Sequence, residues 1–168
     1  MNLNDVLNNS TVLIDANILI YATERKSVQC RELLQRVDAG AIRGVCTTII
    51  VAELSHRCMI NEAQSKGMIT SSSPARALSR QRNTVTRLSD YAEIVRDILS
   101  SALVLEAVRE EDFHVALELQ KQHGLLTNDS LNLAVAKRLG IKEIATADSH
   151  FDAVQGLIVY KPDDLNFA

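Results

Sequence analysis

Four carboxylates stand where this sequence could place chemistry: Asp15, Glu53, Asp129 and Asp148. Asp15 closes the short apolar run Thr11-Val12-Leu13-Ile14, and Asp148 follows Glu143-Ile144-Ala145-Thr146 after a single alanine. Asp129 follows a third short run at Leu125 to Thr127. Glu53 lies about one helical turn inside an apolar segment beginning near Ile49. Carboxylates gathered within a few Å repel one another and their pKa values rise unless a cation relieves them. Mg²⁺ or Mn²⁺ prefers oxygen ligands and keeps some of its waters, which suits a site of few carboxylates that also meets phosphate. Such an ion acidifies a bound water and neutralises charge on a phosphoryl oxygen, so the chemistry implied is phosphodiester hydrolysis. Each acid also has a plainer reading. Asp15 and Asp129 could be helix caps, Asp148 a turn residue and Glu53 a solvent-facing helix residue.

The elements decide between these readings. Residues 11–15, 42–47, 103–108, 142–146 and 157–160 read as short buried strands, with 125–127 a further short strand or a connector. Helices are predicted over 27–39, with Val28, Leu33, Leu34 and Val37 on one face, and over 49–61. The stretch from Ser73-Pro74 to about Ser100 reads as helical with a break near Ser89-Asp90. Further helices run from Glu110 to His123 and from Asp129 to Leu139, each followed by glycine. Alternating strands and helices imply a mostly parallel sheet covered on both faces, an α/β fold. In an open α/β sheet ligands bind outside the carboxyl ends of the strands, and the acids fall at that edge.

The length of 168 residues suits one domain. Aromatic residues are 4% of the chain against 46% hydrophobic overall, so the core must be aliphatic. No apolar run approaches the roughly 18 residues that span a bilayer, and MNLNDVLNNS has neither the basic nor the apolar region of a signal peptide. Cys30, Cys46 and Cys58 are odd in number and form no C-x-x-C pair, which fits buried thiols in a reducing cytoplasm. A net charge of −3 neither suggests nor excludes a nucleic-acid partner.

Taken as an ordered set, these segments resemble the PIN-domain family, and most closely its small stand-alone VapC-type toxins. The matching residues are Val12-Leu13-Ile14-Asp15-Ala16-Asn17; Thr47 with Ala52-Glu53-Leu54; Thr127-Asn128-Asp129-Ser130-Leu131-Asn132-Leu133-Ala134-Val135-Ala136; and Thr146-Ala147-Asp148-Ser149-His150-Phe151-Asp152. The ending Gly156-Leu157-Ile158-Val159-Tyr160-Lys161-Pro162 matches as well. The resemblance implies a PIN-like three-layer α/β/α sandwich around a mostly parallel five-stranded sheet, one domain over 1–168, with a segment at 61–100 longer than in the smallest members. It implies a Mg²⁺- or Mn²⁺-dependent endoribonuclease leaving a 5′-phosphate and a 3′-hydroxyl. Asp15, Glu53, Asp129 and Asp148 would be the catalytic, metal-binding acids, with Asp152 a candidate fifth. Asn17, Thr47 and Thr146 would orient those carboxylates from behind. A toxin of this type would pair with a small antitoxin that places an arginine in the acidic site, and PIN proteins commonly form homodimers through helices.

Arg76, Arg80, Arg82 and Arg87 lie in the longer segment. On one continuous helix Arg76, Arg80 and Arg87 share a face that could grip RNA phosphates, or simply be a solvated face paired with Asp90 or Glu93. His56, His114, His123 and His150 lack zinc spacing; His150, beside Asp148, could approach substrate or sit in a surface loop. Two other readings stay open: a catalytically silent PIN-fold RNA-binding or assembly module, and an acidic phosphatase with Asp15 as nucleophile. Asn17, where such a phosphatase would carry a second acid, weighs against the last.

Overall fold

A computed structural model describes residues 1–165; the last part of the 1–168 domain expectation, residues 166–168, lies outside the described residues. Five short strands form one sheet: β1 (Thr11–Ile14), β2 (Arg43–Thr47), β3 (Val104–Glu106), β4 (Glu143–Ala145) and β5 (Ile158–Tyr160). Their order is β3-β2-β1-β4-β5 and every pairing is parallel. The chain builds outward from β1 to β3, then returns to the other side of β1 for β4 and β5. The winding therefore reverses between β1 and β4, the position at which open α/β sheets form a crevice.

The helices between the strands are α1 (Ala16–Thr23), α2 (Val28–Asp38), α3 (Thr48–Ser65), α4 (Pro74–Ser79), α5 (Arg82–Val85), α6 (Asp90–Ser100), α7 (Glu110–His123) and α8 (Thr127–Arg138). They cover both faces, giving the three-layer α/β/α arrangement. The core is aliphatic, with Leu13, Ile14, Ile18, Leu19, Ile50, Leu54 and Leu133 almost wholly enclosed, and with Phe151 and Tyr160 as buried rings. Gly44 is required by a close approach: a Cβ there would stand 2.7 Å from Leu103 Cδ2 and 2.9 Å from Val37 Cγ2.

Several elements depart from the sequence reading. Leu125 to Thr127 forms no strand, and Thr127 already begins α8, so Asp129 sits in the first turn of a helix rather than at a strand end. Helix α3 continues past Asn61 to Ser65, because Glu62 and Ala63 are buried rather than marking a polar exit. In α2 the covered face is Cys30, Leu33 and Val37, while Val28 at the first helical position is exposed.

The stretch after Pro74 is three helices instead of one broken once. Arg80 is the C-cap of α4 and Arg87 lies between α5 and α6, so Arg76, Arg80 and Arg87 share no single helical face. A second small apolar cluster of Ile60, Ala63, Ile69, Leu78 and Leu88 holds this segment against α3. Glu62 fixes the start of α6. Its buried carboxylate accepts the backbone N–H groups of Ser89 (2.8 Å) and Tyr91 (2.9 Å), and Lys66 Nζ stands 2.6 Å away. Ser89 itself makes no side-chain cap, so the helix takes its cap from a neighbouring helix.

Candidate metal centre

Asp15 is the best-enclosed of the four candidate acids, 8% exposed. It is the N-cap of α1, and its Oδ1 accepts the N–H of Ala16 at 2.7 Å. The cap reading is thus correct as far as it goes, but it uses one oxygen only. Oδ2 accepts the Thr146 hydroxyl at 2.6 Å and the Asn17 amide at 2.6 Å. The Asn17 carbonyl oxygen accepts the N–H of Ala147 at 2.9 Å, and Thr146 Oγ1 accepts the N–H of Asp148 at 3.0 Å. The backbone joins the same two strands at this level, since the N–H of Asp15 donates to the Ala145 carbonyl at 3.0 Å. Asn17 and Thr146 therefore tie the start of α1 to the loop after β4 and aim Asp15.

Thr47 acts elsewhere. Its hydroxyl caps α3 at the N–H of Ile50 (3.2 Å) and donates to Asn132 Oδ1 at 2.6 Å. Both side chains are fully buried. The bond ties the end of β2 to α8, the helix that carries Asp129. Asn132 received no role in the sequence reading. The signal was present: Asn132 is the one polar residue in the run Leu131 to Ala136, and an amide among buried apolar residues must find a hydrogen-bond partner.

Asp129 lies at the start of α8, where the helix macrodipole favours a negative charge. Even so its pKa is raised, by partial burial first and then by the charges of Asp148 and Glu53. Asp15 is pushed up from 3.8 to about 6 by burial, against the hydrogen bonds from Thr146 and Ala16, with the charges of Glu53 and Asp129 adding to the rise. Glu53, half-buried on α3, is thus felt by both aspartates. Asp15, Glu53, Asp129 and Asp148 form one mutually repelling group drawn from four separate elements. Their donor set is oxygen alone, partly desolvated and short of positive charge, which fits a hard divalent cation.

His150 joins this group. Its Nδ1 is 3.1 Å from Asp148 Oδ1 and 3.8 Å from Asp129 Oδ2. One ligand atom each from Asp129, Asp148 and His150 lie within 4.8 Å of one another. Asp152 faces another way: it sits in a short 3₁₀ turn, exposed, with Lys161 Nζ 2.6 Å from its Oδ2. Arg76, Arg80, Arg82 and Arg87 are all exposed. None of the ion pairs among the described residues uses them, so the expected pairing with Asp90 or Glu93 is not formed; Asp90 pairs with Lys66 instead, at 3.0 Å. The three thiols are buried and their pKa values are pushed up to about 11 by burial, the state of inert core cysteines.

A doubly wound parallel sheet with these acidic side chains gathered at its switch point defines an α/β protein whose candidate site lies where open sheets of this kind bind ligands. The PIN-domain family model matches residues 12–157, and the chain belongs to that family. No curated protein matches the chain. Among solved structures it is similar to VapBC2 from Rickettsia felis bound to a DNA fragment from its promoter, at 17% identity and TM-score 0.59, covering 91% of this chain and 99% of that one. It is also similar to VapC20 of Mycobacterium tuberculosis, described as a sarcin-ricin loop cleaving toxin, at 14% identity and TM-score 0.58, over 86% and 95% of the two chains. DNA-bound VapBC from Salmonella typhimurium matches at 15% identity and TM-score 0.57, over 93% and 98%. At these identities the likeness is one of fold.

Proposed function

We propose that this chain is a single PIN domain acting as a divalent-metal-dependent endoribonuclease, the toxin of a toxin–antitoxin pair. The observation that carries the reading is the convergence of Asp15, Glu53, Asp129 and Asp148 in one group whose charges raise the pKa values of Asp15 and Asp129, a repulsion that a divalent cation relieves. Membership of the PIN family and the resemblance to toxin–antitoxin proteins support it.

Asp15, Glu53, Asp129 and Asp148 would hold Mg²⁺ or Mn²⁺, which when bound supplies an acidified water and charge neutralisation at a phosphoryl oxygen. Asn17 and Thr146 keep Asp15 in one rotamer, with both Oδ2 contacts at 2.6 Å. Thr47 keeps α8 in place through Asn132 and so positions Asp129. Arg76, Arg80 and Arg87, exposed in the segment between α3 and α6, bind RNA phosphates as separate point contacts. Asp152 is best read as structural, through its pair with Lys161. The partner is a small antitoxin whose arginine neutralises the same acids. A homodimer and a cytoplasmic setting complete the proposal; among the described residues no helix is long and apolar enough to cross a membrane.

Labelled single-stranded and structured RNAs, incubated with Mg²⁺, with Mn²⁺ and with chelator, test the activity. Metal-dependent cutting by the native chain that vanishes in Asp15→Asn and Asp129→Asn is the expected result. Cutting that survives chelation, or that both variants retain, removes the reading.

A further inference from the structure

We propose that the His150 imidazole is a nitrogen ligand of the bound cation, and that with Asp129 and Asp148 it makes a position selective for first-row transition ions over Mg²⁺. The inference rests on the metal-dependent reading above and adds to it a ligand and a selectivity. Two neighbouring ligands on a small divalent ion stand about 3 Å apart, given metal–ligand bonds of about 2.1 Å. Nδ1 of His150 is already 3.1 Å from Asp148 Oδ1 and 3.8 Å from Asp129 Oδ2. The third separation, Asp129 to Asp148, also lies within 4.8 Å, so a contraction of the cluster brings all three onto one ion.

The backbone holds this arrangement. The N–H of His150 donates to Asp148 Oδ1 at 2.9 Å, which fixes the carboxylate against the start of the 3₁₀ turn. Phe151, 1% exposed, anchors that turn in the core. The imidazole is 57% exposed, so an ion reaches it from solvent without displacing a packed side chain. Asp15 lies deeper and is tied to Thr146 and Asn17, so its surroundings offer oxygen alone. The centre thus has an all-oxygen side at Asp15 and a mixed side at His150. Imidazole raises affinity for Mn²⁺ through Ni²⁺ along the Irving–Williams order, whereas Mg²⁺ keeps to oxygen and water.

Mn²⁺ bound to the native chain is read by pulsed electron paramagnetic resonance for ¹⁴N modulation, with Ni²⁺ and Mg²⁺ affinities taken by calorimetry. Native protein, His150→Gln, His150→Ala and Asp129→Asn are compared. The expected result is ¹⁴N modulation in the native chain and none in either His150 variant or in Asp129→Asn. Ni²⁺ affinity falls by about 10-fold or more in the His150 variants while Mg²⁺ binding is kept. Modulation that persists without His150 comes from another histidine and overturns the proposal. So do His150 variants that bind Ni²⁺ as tightly as the native chain. Mn²⁺ bound to the native chain with no ¹⁴N modulation removes His150 as a ligand and leaves the cation site standing. If no ion binds, the metal-dependent reading and this proposal fall together.

Discussion

The hydroxyl of Thr146 donates to Oδ2 of Asp15 at 2.6 Å, joining the loop after β4 to the N-cap of α1. The same oxygen takes the Asn17 amide, so a carboxylate in the crevice is aimed by two neutral donors rather than by a cation. Thr146→Val keeps the shape and removes one donor. Divalent-ion affinity should fall about 10–100-fold, with the fold kept. Calorimetric titration with Mn²⁺ checks this, and unchanged affinity would make the bond ornamental.

Asp15 also sets a pH dependence. With its pKa near 6 in the folded chain against 3.8 otherwise, the ion-free protein binds an extra proton between those values. Folding stability from this group is full below about pH 3.8 and is lost as the pH rises through about 6. A cation reverses the trend, because it needs the ionised carboxylate. Mn²⁺ affinity should therefore drop about tenfold per unit as the pH falls below about 6. Added Mn²⁺ should raise the melting temperature more at pH 7 than at pH 5. Equal rises at both would show that Asp15 is not coupled to the ion.

Glu62 should behave in the opposite sense. Burial alone would raise its pKa, but Lys66 and the N–H groups of Tyr91, Ser89 and Asp90 outweigh this and bring it from 4.5 down to about 2. Its contribution is present above about pH 4.5 and fades as the pH falls through about 2. Glu62→Gln should cost about 2 kcal/mol at neutral pH, the scale of hydrogen bonds to a buried charged group. The difference from the native chain should shrink toward pH 2–3, as urea unfolding would show. A difference that stays constant with pH would mean the cap works through shape and not charge.

The arginines are tested by salt. Neutralising Arg76, Arg80 and Arg87 together should flatten the plot of log affinity against log salt by about 2, at roughly 0.7 per phosphate contact on single-stranded RNA. Asp129→Asn protein is the right background, since on the proposed function it leaves the RNA intact. An unchanged slope would place the RNA elsewhere.

Gly44 gives a structural control. Gly44→Ala puts a methyl group against Leu103 and Val37 at under 3 Å, and should cost about 1–3 kcal/mol of stability. Urea unfolding at neutral pH reads it, and a variant as stable as the native chain would mean those side chains give way freely.

The strands and the acids that follow β1 and β4 were legible because short β-branched runs ending in Asp are local patterns. Asp129 looked like a third strand end because Leu125 and Leu126 precede it, yet Leu126 is the exposed N-cap position of α8. The segment after Pro74 looked helical without a break as far as Ser89 because nothing between Ser79 and Ser89 is a proline or glycine. Tertiary burial of Leu78 and Leu88 against α3 bends it instead. The Thr47–Asn132 bond and the His150 contacts link residues far apart or across a turn, and no local pattern reports such distances.

The bond from Thr146 to Asp15 spans 131 positions of sequence. A chain still emerging from the ribosome carries Asp15 and Glu53 early, but nothing yet holds Asp15 in place. Until β4 has been synthesised and has slotted beside β1, the crevice does not exist. A chain cut short before Thr146 therefore lacks the donor that aims Asp15, and the crevice is among the last features that synthesis completes.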